Sequence, residues 1–171
     1  MRFKLMIGIK IEDLSPWKTG AVFSNESFGE GVRDTPTFLA DKLLLEIREH
    51  YFADRANTKY IIGGYSLAGL FALWAVYQID LFSACVAASP SVWFPGWLAY
   101  AEGREIMTDN IYLSLGRKEL KTRSPIMKTV GDCMIRQDGL FSGKNHIFEW
   151  NEGNPLSGCR HKDGEGVSVG D

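Results

Sequence analysis

The 171-residue sequence predicts an α/β domain in which a mostly parallel sheet is covered on both faces by helices. Two observations carry that prediction. Short β-branched or aromatic runs alternate with segments whose apolar residues recur at helical spacing. Three of those runs, ending near Gly64, Leu115 and Trp150, give way at once to polar loops, as strands do where a parallel sheet presents its C-terminal edge. The length suits one domain with a core of ordinary size.

Taken in order, Phe3 to Ile11 predicts a mostly buried strand. Residues 12–31 form a long irregular connection containing Ser15-Pro16-Trp17, with Gly29 and Gly31 near its end; connections of that length in compact domains are usually functional or line a cleft. Asp34 or Thr35 caps a predicted helix reaching about Tyr51. Its apolar stripe is Phe38, Leu39, Leu43, Leu44 and Ile47, and Asp41, Lys42, Glu46 and Arg48 fall on the wet side. His50 ends this helix, where a cation complements the dipole. Tyr60 to Gly64 is the next strand, followed by a helix to about Ile79. Phe82 to Ala88 is a short buried strand closed by Ser89-Pro90-Ser91. Val92 to Leu98 is aromatic and turn-rich, with a helix starting near Gly96. Ile111 to Leu115 is a strand ended by Gly116, Pro125 to about Asp138 a helix with an N-terminal proline, and Asn145 to Trp150 the last strand. From Asn151 the character changes: five glycines, no aromatic residue and no periodicity read as a loose tail.

Composition excludes several function classes. The net charge is -2 with no basic stripe, which argues against nucleic acid. No apolar run approaches the ~18 residues of a membrane helix. Met1 to Ile11 is interrupted by Lys4 and Lys10, a first strand rather than a signal peptide. Cys85, Cys133 and Cys159 share no short spacing, so neither a disulfide framework nor a metal site is expected, and a reduced, cytoplasmic protein is the default. There is no G-x-G-x-x-G after a strand and no phosphate-binding loop, so no cofactor is implied.

The chemistry centres on Tyr60-Ile61-Ile62-Gly63-Gly64-Tyr65-Ser66-Leu67-Ala68-Gly69-Leu70-Phe71. A strand, a sharp turn carrying serine and an apolar helix follow one another directly, the layout of a nucleophile elbow. Small residues must flank such a serine so that strand and helix can approach, which accounts for Gly64 and Ala68; the usual motif has Gly where Ala68 stands. The helix N-terminus then aims free N–H groups, that of Leu67 first, at negative charge developing beside Ser66 Oγ. A hydrolytic serine also needs a base and a group to orient it. Glu119 follows the strand ending at Gly116, where an orienting acid belongs; a solvated charge beside Lys118 and Lys121 is the other reading. His146 lies at or in the last strand and His161 in the tail. Tyr65, Trp17 and Trp93, with Phe94 and Trp97, are candidates to line an apolar substrate pocket, or alternatively plain core.

Together, Asp13-Leu14-Ser15-Pro16-Trp17, Gly63 to Trp74, Ala88-Ser89-Pro90-Ser91-Val92-Trp93 and Tyr112-Leu113-Ser114-Leu115-Gly116 resemble the bacterial esterase branch of the α/β-hydrolase superfamily, related to the esterase D and siderophore-esterase group. The resemblance covers about Phe3 to Asn154. It implies a three-layer α/β-hydrolase-like sandwich that lacks the family's N-terminal strands and its C-terminal helix, with the domain at residues 1–154 and an irregular tail at 155–171. It implies nucleophilic Ser66, an acid after Gly116, oxyanion donor Leu67, a small-molecule ester substrate and no metal or cofactor. Relatives commonly carry Asp where Arg117 stands, which leaves Glu119 as the acid. The family's His follows the Trp-Asn-x-Gly run at Trp150 to Gly153, yet here position 155 is Pro and the remaining candidate is His161.

Dropping one nucleotide after Asn154 lets the codons of Pro155 to Ser168 read His-Phe-Gln-Asp-Ala-Asp-Ile-Arg-Thr-Ala-Lys-Gly-Phe, the expected His-Phe and a helix. A frameshift at that point and a divergent tail are the two readings of residues 155–171. A catalytically inactive fragment or pseudoenzyme acting as a binding protein is the alternative to a working hydrolase.

Overall fold

A computed structural model describes residues 14–19, 59–121, 125 and 127–152. The strand predicted at Phe3 to Ile11, the helix ending near Tyr51 and the tail at 155–171 lie outside the described residues, as do His50 and His161.

Four strands, β1 (Tyr60–Tyr65), β2 (Phe82–Ala88), β3 (Asn110–Gly116) and β4 (Asn145–Asn151), form one sheet in the order β1-β2-β3-β4, every pair parallel. Helices α1 (Leu67–Val76), α2 (Trp97–Ala101) and α3 (Val130–Gly139) fill the connections. This is the α/β architecture expected from alternating strand and helix patterns.

The helices α1 to α3 lie on one face of the sheet. That face presents Ile62 from β1, Cys85 and Ala87 from β2, Ile111, Leu113 and Leu115 from β3, and Phe148 and Trp150 from β4. Every residue of α1 from Gly69 to Val76 is buried, as expected of a helix apolar all round. Trp97 of α2 donates its indole N–H to Gln137 of α3 at 2.6 Å, a bond closed off from water that ties the two helices together. On the opposite face Ile61 (65% exposed), Val86 and Ile147 (56%) are open to solvent. Two of the expected three layers are therefore present among the described residues.

Two boundaries differ from expectation for local reasons. Helix α1 ends at Val76 because Tyr77 N–H bonds to Trp74 and Gln78 N–H to Ala75, closing the last turn in i→i−3 fashion. The helix predicted from Pro125 becomes regular only at Val130, after a 3₁₀ turn at Met127–Thr129. Gly131, the second residue of α3, is closely approached from outside the helix. A Cβ there would sit 2.8 Å from Leu120 Cδ2, so the side chain of the preceding 3₁₀ helix (Arg117–Lys121) packs onto bare backbone.

Cys85 lies in the centre of this core, and burial pushes its thiol up to about 12 from 9.0. Because the folded state holds the proton more tightly, this contribution is complete below pH 9 and is lost as pH rises toward 12. Tyr77, raised to about 12 chiefly by burial, acts in the same direction. Urea unfolding across pH 8 to 11 should show stability falling in the alkaline range. Cys85→Ala should flatten that fall by up to about 1.4 kcal/mol per pH unit above pH 9. Parallel curves for the two proteins would refute the assignment.

Candidate active site

Strand β1 runs directly into α1 with a single residue between them, Ser66. So abrupt a reversal cannot be made with ordinary torsions, and Ser66 adopts φ 57°, ψ -121°, a conformation that L-residues rarely take. Its side chain makes no capping bond to the helix, although it occupies the N-cap position. The hydroxyl instead lies 3.4 Å from Ser91 Oγ. Main-chain bonds pin the turn on both sides: Ser66 N–H donates to Ala88 O at 3.0 Å, and Ser91 N–H donates to Ser66 O at 3.1 Å. Leu67 opens the helix, so its N–H has no acceptor within the helix and points out of the N-terminus.

The small residues predicted around the serine are present for a measurable reason. A Cβ on Gly64 would fall 2.4 Å from the carbonyl carbon and oxygen of Ala68, well inside contact distance. One step later, a Cβ on Gly69 would meet Gly64 O and Pro90 Cα, each at 3.1 Å. The helix thus rests on the strand through glycine at one level and on the Ser89-Pro90-Ser91 turn at the next. Ala68, where the motif usually has glycine, is accommodated because Gly64 opposite it has no side chain.

The C-terminal ends of the strands come together as the parallel register requires. Tyr65 is level with Ala88, Ala88 with Ser114, and Gly116 with Asn151. Glu119 sits beyond β3 in the 3₁₀ helix Arg117–Lys121, partly buried. It is not a freely solvated charge. Its Oε1 accepts the Ser89 hydroxyl at 2.6 Å and the Gly116 N–H at 3.2 Å. Tyr65 lies in the field of this carboxylate, and burial first and Glu119 second raise its phenol, which keeps it a neutral donor at neutral pH. Arg117, on the same 3₁₀ helix, reaches outward to Glu152 at 2.8 Å and lies over the Trp150 ring.

The remaining candidates fall in different places. Trp17 donates its indole N–H to Pro95 O at 2.9 Å and stacks edge-on against Phe94, beside Gly96 at the entry to α2. Trp93 is half-buried against the core. Phe94 and Trp97, read from sequence as possible pocket lining, are instead buried core residues. His146 is at the wrong end of the sheet. It stands one residue into β4, level with Ile111, with Nδ1 at 3.2 Å from Lys144 O and Nε2 at 3.2 Å from Asp138. His161 lies outside the described residues. Ser89 and Ser91 were not singled out as site residues by sequence reasoning. The only signal for them is the turn Ser89-Pro90-Ser91 at the end of a strand neighbouring the elbow. Among the described residues no group of three or more His, Cys, Asp or Glu is placed to hold a metal ion, and no helix is long and apolar enough to cross a membrane.

Several solved structures are similar to this chain in fold. The chain is similar to siderophore hydrolase EstB from Aspergillus nidulans (21% identity, TM-score 0.66), covering 86% of this chain and 60% of that one. It is similar to an IroE-like serine hydrolase from Shewanella oneidensis (20%, TM-score 0.61; 86% and 52%). The enterobactin esterase FES from Shigella flexneri matches at 19% and TM-score 0.55, over 72% of this chain and 34% of that one. The chain therefore spans about three-fifths of the length of EstB and less of the others. No protein-family model and no curated protein matches it. At 19–21% identity the likeness is one of fold, an α/β sheet with its helices.

The close approach at Gly64 makes a specific demand. Gly64→Ala should destabilise the domain by about 1–3 kcal/mol, because the added methyl meets backbone that cannot rotate away. Gly139→Ala, with nothing within 4 Å of the new Cβ, should not destabilise it. Denaturant midpoints of the two variants check this. A tolerated Gly64→Ala would mean that strand and helix are further apart than described.

Proposed function

We propose that this chain carries the catalytic half of a serine ester hydrolase acting on a small-molecule ester. The observation that supports it most is Ser66, held at positive φ between a parallel strand and the helix whose N-terminus it faces. The similarity to siderophore and enterobactin esterases supports an ester as the substrate class.

In this reading Ser66 Oγ attacks the acyl carbon while its proton passes to an imidazole. The carbonyl oxygen, now negative, is met by the Leu67 N–H. The alcohol leaves with the transferred proton, and water, deprotonated by the same imidazole, releases the acid and frees Ser66. Glu119 orients the imidazole. Its Oε1 is engaged by Ser89 and Gly116, which leaves Oε2 for the ring N–H. The spacing suits this. Ser66 follows β1 and Glu119 follows β3, two strand spacings or about 10 Å apart in the sheet direction. An imidazole with one hydrogen bond of about 2.8 Å on each side spans about 8 Å, so the two side chains would lean toward each other over the serine turn to close the remainder. Such a ring would sit above the Ser89-Pro90-Ser91 turn, with Tyr65, Trp17 and Trp93 around the substrate.

The one histidine among the described residues, His146, does not stand beside Ser66. His146 points away from the site, so His161 is the one histidine that follows β4. That geometry also favours a second reading: a hydrolase fold without turnover, its imidazole displaced by a frameshift after Asn154.

A fluorophosphonate probe tests both. Labelling should occur at Ser66, vanish in Ser66→Ala, and fall at least about 10²-fold in His161→Ala if that residue is the base. Unlabelled wild type, with labelling gained when residues 155–168 are replaced by the shifted-frame sequence, would establish the second reading. No labelling of either protein would refute the hydrolase assignment.

A further inference from the structure

We infer that Ser89 is the positioning residue for Glu119, and that its strained backbone is kept because only that conformation delivers its hydroxyl to the carboxylate. The inference rests on the hydrolase reading for its catalytic meaning, and on geometry alone for the coupling itself.

Among the described non-glycine residues only Ser66 and Ser89 have positive φ, 57° and 43°. For Ser66 the reason is the strand-to-helix reversal. No such reversal follows β2, where the chain continues into a turn toward α2, so Ser89 needs its own explanation. Serine is a poor choice for that conformation if conformation were all that mattered, since glycine adopts it without cost. What glycine lacks is the hydroxyl. That group is 95% withdrawn from solvent with its residue, and donates to Glu119 Oε1 at 2.6 Å, the short distance of a bond to an ionised acceptor. The Ser89 N–H is spent on Ser114 O at 2.7 Å, which fixes the residue to β3 just below Gly116. Gly116 N–H then supplies the second bond to the same oxygen. One carboxylate oxygen is thus gripped from β2 by a side chain and from β3 by the main chain, across 30 residues of sequence. Without the Ser89 hydroxyl a lone backbone bond of 3.2 Å remains, on a carboxylate whose 3₁₀ helix has no buried residue to hold it.

Conformation and hydroxyl can be separated by substitution. Ser89→Gly removes the hydroxyl and relieves the backbone. Ser89→Thr keeps the hydroxyl but puts a β-branched residue at positive φ, which is unfavourable. A role in positioning Glu119 therefore predicts opposite orders in two measurements. In denaturant unfolding Ser89→Gly should be at least as stable as Ser89→Thr.

In amide NMR the Gly116 N–H, bonded to the carboxylate, should move in Ser89→Gly as it does in Glu119→Gln, and stay in place in Ser89→Thr. Adding Glu119→Gln to Ser89→Gly should move it less than Glu119→Gln moves it in the wild type. Phosphonylation of Ser66 should slow about 10–100-fold in Ser89→Gly and recover in Ser89→Thr, the scale of losing one supporting hydrogen bond around a reactive group. A Gly116 resonance unmoved in Ser89→Gly would overturn the inference whether or not Ser66 reacts. A wild-type Ser66 that never reacts would count against the hydrolase reading and leave the amide result to decide the coupling.

Discussion

The contact on which this domain depends is the one between Gly64 and Ala68, where the end of a strand and the start of a helix touch through bare backbone. One residue separates the two elements, so that residue must take up the whole change of direction, and Ser66 does so at φ 57°. Strain of this kind costs on the order of 1–3 kcal/mol and survives only where the surroundings over-determine it. Here they do. The apolar helix that follows is enclosed over its length from Gly69, the strand before it is bonded along β2, and the main-chain polar groups of Ser66 are held by Ala88 at the end of β2 and Ser91 in the turn after it. The serine is raised out of the core by the packing of the core.

The same turn serves two neighbours at once. Ser91 reaches back to the turn of β1 through its N–H and its hydroxyl, while Ser89 reaches across to Glu119 beyond β3. Pro90 between them has no N–H to satisfy and packs against Gly69. A parallel sheet fixes its strand ends to within the precision of its ladder, but the loops beyond are set by whatever bonds they find. In this chain three consecutive strand ends are joined laterally by those two serines, so the relative placement of Ser66 and Glu119 does not depend on either loop alone.

Much of this was legible in the sequence because it follows from periodicity and steric need. Tyr60 to Gly64 reads as a strand from its β-branched and aromatic content, Phe82 to Ala88 as a short buried strand closed by a turn, and the elbow from apolar strand, small flanks and apolar helix in the right order. The turn serines were not legible, because a Ser-Pro-Ser sequence says only that a strand has ended. What each hydroxyl touches is a fact of register between β2 and β3. Phe94 and Trp97 were ambiguous for a related reason. An aromatic beside a turn can face a cleft or the core, and here the buried Gln137 of a helix 40 residues later draws the Trp97 indole inward. The approach of Leu120 to Gly131 is again a pairing that no local pattern encodes.

The sheet also says where a base must come from. His146 is in the sheet yet useless to Ser66, because it enters at the start of β4 and the site is at the other end; both its ring nitrogens are occupied by Lys144 and Asp138. Any group meant to bridge Ser66 and Glu119 has to arrive beyond a strand's C-terminal end. The ends of β1, β2 and β3 are already taken by Ser66, the serine turn and Glu119. Among the described strands that leaves the end of β4, where Asn151 stands level with Gly116, two spacings past the turn that a bridging ring would cover. A segment leaving Asn151 and crossing back over β3 passes that position within a few residues. Under the proposed hydrolase reading, the C-terminal end of β4 is therefore the place among the described strands from which an imidazole would reach both side chains.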